Sequence, residues 1–185
     1  MITVNSDPER SVGHFSRCTL AGFPELLAAW RAGRHAIEPI ARLEAVIDGD
    51  GSHCFLNDCL FTSRNPAAIT RYLIEVDGER ERQHSSGIWV STAAGSTGGI
   101  RSAGMQPLPP GDHALLWQVR EPFQGRSPVT LLSGRQSPPR GLRLTATMPN
   151  IDLYLDGPHR QIPLRYGGVV AFRAHAQPLP LVILG

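Results

Sequence analysis

Residues 72–78 read Tyr72-Leu73-Ile74-Glu75-Val76-Asp77-Gly78. Tyr72, Ile74 and Val76 alternate with Leu73 and Glu75, the period of two that buries one face of a strand. Asp77-Gly78 then supplies the positive-φ pair of a two-residue hairpin. The same pattern recurs on both sides. Upstream, Leu43, Ala45 and Ile47 alternate with Glu44, Val46 and Asp48 before a Gly49-Asp50-Gly51 turn. Cys54 to Phe61 is an apolar run broken only by Asn57-Asp58, and Asn65-Pro66 is a turn signal. Downstream, strands are predicted at Ile88–Val90 and over residues 114–119, 129–132, 142–147, 151–155, 169–174 and 181–184, with Asp156-Gly157 as a second hairpin turn. Residues 104–113 and 133–141 read as loops. Short strands divided by regular turn signals predict a mainly β chain, sandwich-like or of a related all-β fold.

One helix interrupts this pattern near the N-terminus. Phe23, Leu26, Leu27 and Trp30 fall at i, i+3, i+4 and i+7, on one helical face. Pro24 suits the first turn and Gly33 the position just past the end. Before it, Ile2-Thr3-Val4 reads as a short strand that stops at Asn5-Ser6-Asp7-Pro8.

The 185 residues suffice for one ordinary domain, or one domain and a piece of another. A hydrophobic content of 41% with 18% charged residues suits a globular chain. The net charge of +2 and the lack of a basic run argue against nucleic acid or an anionic membrane as partner. No apolar stretch approaches a bilayer span, and Met1 to Arg10 is not a secretory signal. Three cysteines without a CxxC, and histidines not paired at ligand spacing, predict no metal site and reduced thiols in a cytoplasmic protein.

Two features point toward chemistry. Ser85 to Gly104 reads SSGIWVSTAAGSTGGIRSAG, a strand running into a turn of Gly, Ser and Thr. Small residues let a ligand approach the backbone, and hydroxyls and N–H groups can then bond a phosphate or ribose, with a helix start near Gly98. The competing reading is a Gly/Ser loop with no ligand. No Lys follows the glycines, so this is not a Walker A loop. The second feature is Asn57-Asp58. Two polar residues in a buried-looking run cost free energy unless paired. Asn offers donors and acceptors, Asp acceptors, a combination suited to ribose hydroxyls. Taken alone, a bulge or turn with self-satisfied side chains explains them as well.

In order along the chain, these elements resemble the NAD kinase family. Val4 to Phe15, VNSDPERSVGHF, is similar to the segment after the last strand of the family's N-terminal domain. The helix at Phe23–Gly33 and the strand reaching Arg42-Leu43 are similar to the elements that follow. Leu56-Asn57-Asp58 resembles the LNE/D motif. Gly87-Ile88-Trp89-Val90-Ser91-Thr92-Ala93-Ala94-Gly95-Ser96-Thr97 resembles DG-L-x-x-S-T-P-T-G-S-T-A-Y, and Tyr154-Leu155-Asp156-Gly157 with Leu164-Arg165-Tyr166-Gly167 resemble the late strands. The Ser85-Ser86-Gly87 form is most similar to the mitochondrial-type branch and its bacterial relatives.

The resemblance implies a β-sandwich-like C-terminal domain over residues 16–185, with residues 1–15 a remnant of an α/β domain. It implies ATP, with Mg²⁺, phosphorylating the adenosine 2′-hydroxyl of NAD to give NADP. It implies that Asn57 and Asp58 hold ribose hydroxyls, and that Ser86, Thr92, Gly95, Ser96, Thr97 and Ser102 line the NAD cleft. It also implies a homo-oligomer. There are departures. Ser86 stands where many members carry Asp, and Gly98-Gly99 replaces Ala-Tyr. The GGDG motif, whose Asp is the catalytic base, is expected upstream of residue 1. Gly49-Asp50-Gly51 is a decoy for it, since it lies downstream of VNSDP and reads as a hairpin turn. The chain is therefore expected to be inactive alone. A non-catalytic dinucleotide-binding or oligomerisation module stays open, as do a lipid-directed kinase of the wider superfamily and an inert fragment from a misplaced start codon.

Overall fold

The computed structural model describes residues 1–10, 13, 15–125 and 128–185. Part of the Val4–Phe15 motif, Ser11, Val12 and His14, lies outside the described residues. Strands are numbered β1 to β16 in chain order among the described residues. Contacts divide the chain into two units, residues 1–40 with 177–185, and residues 41–176.

In the first unit, β1 (Val4–Asn5) pairs in parallel with β2 (Cys18–Thr19). Helix α1 (Phe23–Arg31) begins with Pro24 in its first turn and ends before Gly33, whose φ is +69°. It buries Leu26 and Ala29, while Trp30, placed by the sequence on the apolar face, is 46% exposed. The buried stripe runs through Leu26 and Ala29, three residues apart, so the packed face is turned away from the one centred on Trp30. β3 (His35–Ile40) pairs antiparallel with the last strand, β16 (Leu179–Leu184).

Among the described residues, the second unit holds twelve strands: β4 (Leu43–Ile47), β5 (Gly51–Phe55), β6 (Asp58–Ser63), β7 (Thr70–Val76), β8 (Glu79–Ser85), β9 (Ile88–Ser91), β10 (Leu115–Val119), β11 (Ser133–Gln136), β12 (Leu142–Ala146), β13 (Ile151–Leu155), β14 (Gln161–Leu164) and β15 (Val169–Ala174). They form two six-stranded sheets, ordered β11-β10-β9-β6-β13-β14 and β5-β4-β15-β12-β7-β8. Every neighbouring pair is antiparallel. Cys59, Phe61, Ile88, Val90, Trp117 and Leu153 of the first sheet share one buried cluster with Leu43, Ala45, Tyr72, Ile74, Leu144 and Phe172 of the second. The expected mainly β, sandwich-like architecture is the one observed.

Local signals act as expected at the turns. Val76 pairs with Glu79 across Asp77 (φ +51°) and Gly78 (φ +93°), two positive values that match the strand twist. Gly49-Asp50-Gly51 joins β4 to β5 as a hairpin turn. Three of the four edge strands were not foreseen: β8, β11 and β14. Residues 133–136, read as loop, form β11, and residues 129–132, read as strand, do not. An edge strand pairs through its backbone and has less need of an alternating apolar face. At Gly134, a Cβ would come within 2.6 Å of the Trp117 indole, so the core aromatic requires glycine in this edge strand.

Candidate functional site

The apolar run from Cys54 to Phe61 is split by a turn, and Asn57 and Asp58 stand at that turn. β5 ends at Phe55 on one sheet and β6 begins at Asp58 on the other. The Asp156 carboxylate holds the turn from the far end of β13. It accepts the Leu56 N–H at 3.0 Å and the Asn57 N–H at 2.6 Å. The Asp156 N–H in return donates to the Asp58 carbonyl at 2.9 Å.

The small-residue loop closes on the same turn. The Thr92 N–H donates to the Asn57 carbonyl at 3.0 Å, and the Thr92 hydroxyl donates to the Leu56 carbonyl at 2.6 Å. Gly95 lies directly on the turn, where a Cβ would stand 2.1 Å from the Asn57 carbonyl oxygen. A Cβ at Gly98 would lie 3.7 Å from Asp58 Oδ2. Ala94–Thr97 forms a 3₁₀ turn, followed by α2 (Gly99–Ser102). At four residues, α2 is a single turn, too short to act as an anion site through its dipole.

These positions divide the expected site residues by the work their side chains already do. Thr92 and Ser96 are buried and their hydroxyls are engaged in the scaffold. Ser96 Oγ donates to the Ala93 carbonyl at 2.6 Å and accepts the Leu108 N–H at 3.0 Å. Among the described residues, the Asn57 side-chain amide and the Asp58 carboxylate make no hydrogen bond. Thr97 is half-buried and Ser102 is exposed at the end of α2. Ser86 lies at the other end of β9. Asp58 pairs with Ser91 at one end of β9, while Ser86 precedes the other end and its carbonyl accepts the Thr62 hydroxyl at 3.0 Å, four residues along β6 from Asp58 and so roughly 13 Å away.

The outer face of the first sheet links these ends. Leu60, Trp89 and Tyr154 alternate away from the core and stand side by side, Leu60 pairing with both. A cavity of about 330 Å³ is lined by Asp58, Leu60, Trp89, Tyr154, Gly157 and Pro158. A second, of about 410 Å³, includes Ser86, Thr62 and Arg120 and shares Leu60 and Tyr154 with the first. Trp89, Tyr154 and Asp156 lie in quoted motifs, but the sequence assigned them no role at the site. The outward phase of Trp89 and Tyr154 in their strands was the available signal.

Burial, with the nearby Asp156 charge, pushes the Asp58 carboxyl up to about 6. Burial also raises the Cys59 thiol well above its ordinary value, as expected of a core cysteine. Among the described residues, no group of three or more His, Cys, Asp or Glu side chains is placed to hold a metal ion.

No family model matches the chain. Curated proteins do. A "Probable NADH kinase" of Oryza sativa subsp. japonica is 28% identical over 98% of this chain and 58% of its own length. An "NAD kinase" of Methanospirillum hungatei is 30% identical over 66% of this chain and 47% of its own length. The "NADH kinase" of Arabidopsis thaliana is 28% identical over 94% of this chain and 57% of its own. These likenesses support a place in the NAD/NADH kinase family. The chain spans about half the length of the family members it matches.

Solved kinase structures share the fold. Yeast NADH kinase complexed with NADH superposes with a TM-score of 0.77 at 22% identity, over 92% of this chain and 51% of that one. An NAD kinase from Archaeoglobus fulgidus in complex with ATP gives 0.73 at 22% identity, over 94% and 65%. No described helix is long and apolar enough to cross a membrane.

Proposed function

We propose that this chain is the acceptor-binding part of an NAD(H) kinase, in which ATP phosphorylates the 2′-hydroxyl of the adenosine ribose to give NADP(H). One observation carries the reading: two adjacent, half-buried polar side chains, Asn57 and Asp58, have no hydrogen-bond partner among the described residues and lie beside a glycine-lined loop. A partly desolvated carboxylate without donors is unfavourable until a ligand supplies them. The two hydroxyls of a ribose do so, and the Asn57 amide adds a donor and an acceptor.

In this reading Asn57 and Asp58 hold the ribose, and Gly95, Thr97 and Ser102 line the nucleotide side of the cleft. Thr92 and Ser96 shape the loop from within, and Ser86 meets the far part of the dinucleotide. The reading assigns the base that takes the hydroxyl proton to a carboxylate of the α/β domain of the kinase, and assigns residues 1–15 to that domain as well. Mg²⁺ enters with the phosphates of ATP as part of the substrate, since this ion relies on nucleotide oxygens and few protein carboxylates. The free thiols of Cys18, Cys54 and Cys59 suit a reducing compartment, which we take to be the cytoplasm.

Titration of residues 1–185 with NAD and NADH, followed by an assay for NADP(H) formation with ATP and Mg²⁺, tests this. The expected result is binding with negligible turnover. Failure to bind either dinucleotide overturns the reading, and robust turnover moves the catalytic carboxylate into this chain.

A second reading is a non-catalytic dinucleotide-binding module that assembles with copies of itself. Self-association would give exposed apolar side chains such as Phe123 and Tyr166, 56% and 71% exposed, a surface to be buried against. Light scattering across a concentration series should show a mass above that of the monomer.

A further inference from the structure

Trp89, Leu60 and Tyr154 occupy matching positions on the adjacent strands β9, β6 and β13 and all point away from the core. Adjacent strands lie about 4.8 Å apart, so the two aromatic residues rise from backbones about 9.5 Å apart with a leucine between them. A planar ring set over Leu60 would stand between the two aromatic residues, one strand spacing, about 4.8 Å, from the backbone of each. The cavity these residues line, about 330 Å³, also reaches Asp58. Its floor and walls are apolar while one end carries a carboxyl group, the pattern of a site for a flat ligand with polar substituents.

Trp89 is held by contacts with Gly99 and Arg120, and part of the residue still lines the cavity. A Cβ at Gly99 would stand 2.8 Å from the Trp89 six-membered ring, so the indole occupies the space that any larger residue there would take. The Arg120 guanidinium lies 5.9 Å from the ring centroid, a cation–π contact. A partly exposed tryptophan packed against a glycine and an arginine is ordered before a ligand arrives, which lowers the entropy lost on binding.

We propose that Trp89 and Tyr154 form an aromatic clamp that takes the heteroaromatic base of a nucleotide, stacked over Leu60, with Asp58 at the junction between base and sugar. The assignment of the sugar rests on the ribose role given to Asp58 above. The clamp itself rests on the spacing of the three strands. A base bonded to a ribose at Asp58 has the adjoining cavity to enter, and an indole face is a strong stacking surface.

Calorimetry with NADH and AMP on residues 1–185 tests the clamp. Trp89→Leu and, independently, Tyr154→Leu should each weaken binding about tenfold, within the effect of one base–aromatic stack, and Trp89→Phe should retain most of the affinity. Thermal unfolding of each variant checks that it is folded. The same titration with nicotinamide mononucleotide shows which base enters, and loss of affinity for either mononucleotide in the Leu variants supports the clamp. If wild type binds NADH and both folded Leu variants bind it equally well, the clamp is wrong while the kinase reading stands. If wild type binds no dinucleotide, the kinase reading falls and the clamp is judged on a panel of adenosine, guanosine and flavin mononucleotide. Trp89-dependent binding of any of these supports it, and binding of none overturns it.

Discussion

Asp156 Oδ1 accepts the Asn57 N–H at 2.6 Å across 99 residues of chain. The same carboxylate takes the Leu56 N–H, so one side chain at the end of β13 sets the backbone of the turn between β5 and β6. Asp156 has a φ of +53°, a conformation that Asn and Asp tolerate better than most side chains. Asp156→Ala should therefore lose two hydrogen bonds and add backbone strain, lowering stability by about 1–2 kcal/mol in denaturant unfolding. Asp156→Asn keeps the backbone and one acceptor and should cost less. Both should weaken NAD binding by loosening the turn that presents Asn57 and Asp58.

With Asp58 as a ribose ligand, stability and NAD binding should respond to pH in opposite directions. Its folded value of about 6 lies above the ordinary 3.8, so the folded protein holds this proton more tightly than the unfolded chain. The resulting stabilisation is complete below about pH 3.8 and is lost as pH rises through about 6. Asp58→Asn should remove this dependence and raise unfolding free energy at pH 8 by about 1 kcal/mol, a figure reduced for solvent screening of a partly exposed group. A ribose bonds the carboxylate form best, so NAD affinity of the wild type should rise through the same window. In Asp58→Asn it should stay flat and weak. Unfolding and calorimetric titrations at pH 5, 6, 7 and 8 check both slopes.

Gly95 is the close-approach residue of the loop. A methyl group there would enter the Asn57 carbonyl, and Ser91 Oγ stands 2.7 Å from the same point. Gly95→Ala forces backbone away from backbone, so it should cost at least about 1–3 kcal/mol and abolish measurable NAD binding. A variant with unchanged melting temperature and affinity would show that the loop can yield, against the packing seen here.

Asn57→Ala and Ser96→Ala should separate ligand contact from scaffold. Asn57 loses a side chain with no protein partner among the described residues, so stability should change by less than about 0.5 kcal/mol while NAD affinity falls. Ser96→Ala leaves the Leu108 N–H without its buried acceptor and should cost about 1–3 kcal/mol in stability. Its effect on affinity should be smaller than that of Asn57→Ala. Parallel melting and binding curves for the two variants make the comparison.

Interior strands and two-residue turns were legible in the sequence. β4, β7 and β13 show the alternation that a half-buried strand imposes, and Asp77-Gly78 shows the turn that only positive φ permits. The edge strands β8 and β14 were not, because sequences such as Glu79–Ser85 and Gln161–Leu164 pair through main-chain groups that every residue carries. Asn57-Asp58 and the Gly/Ser/Thr loop were visible as polar and small residues in unexpected places. Their division into free and engaged side chains was not, because a hydroxyl's partner is a matter of distance and not of composition.

Local chemistry thus decided the strand periodicity, the hairpin turns and the identity of the two candidate motifs. These are effects within a few bonds of the residue concerned. Tertiary structure alone decided that Asp156 holds Asn57, that Gly95 seats against it, and that Trp89 and Tyr154 flank Leu60 on adjacent strands. Each of those relations joins strands far apart in the chain. They arise because the pairing of β6 with β9 and β13 fixes which outward-facing side chains become neighbours.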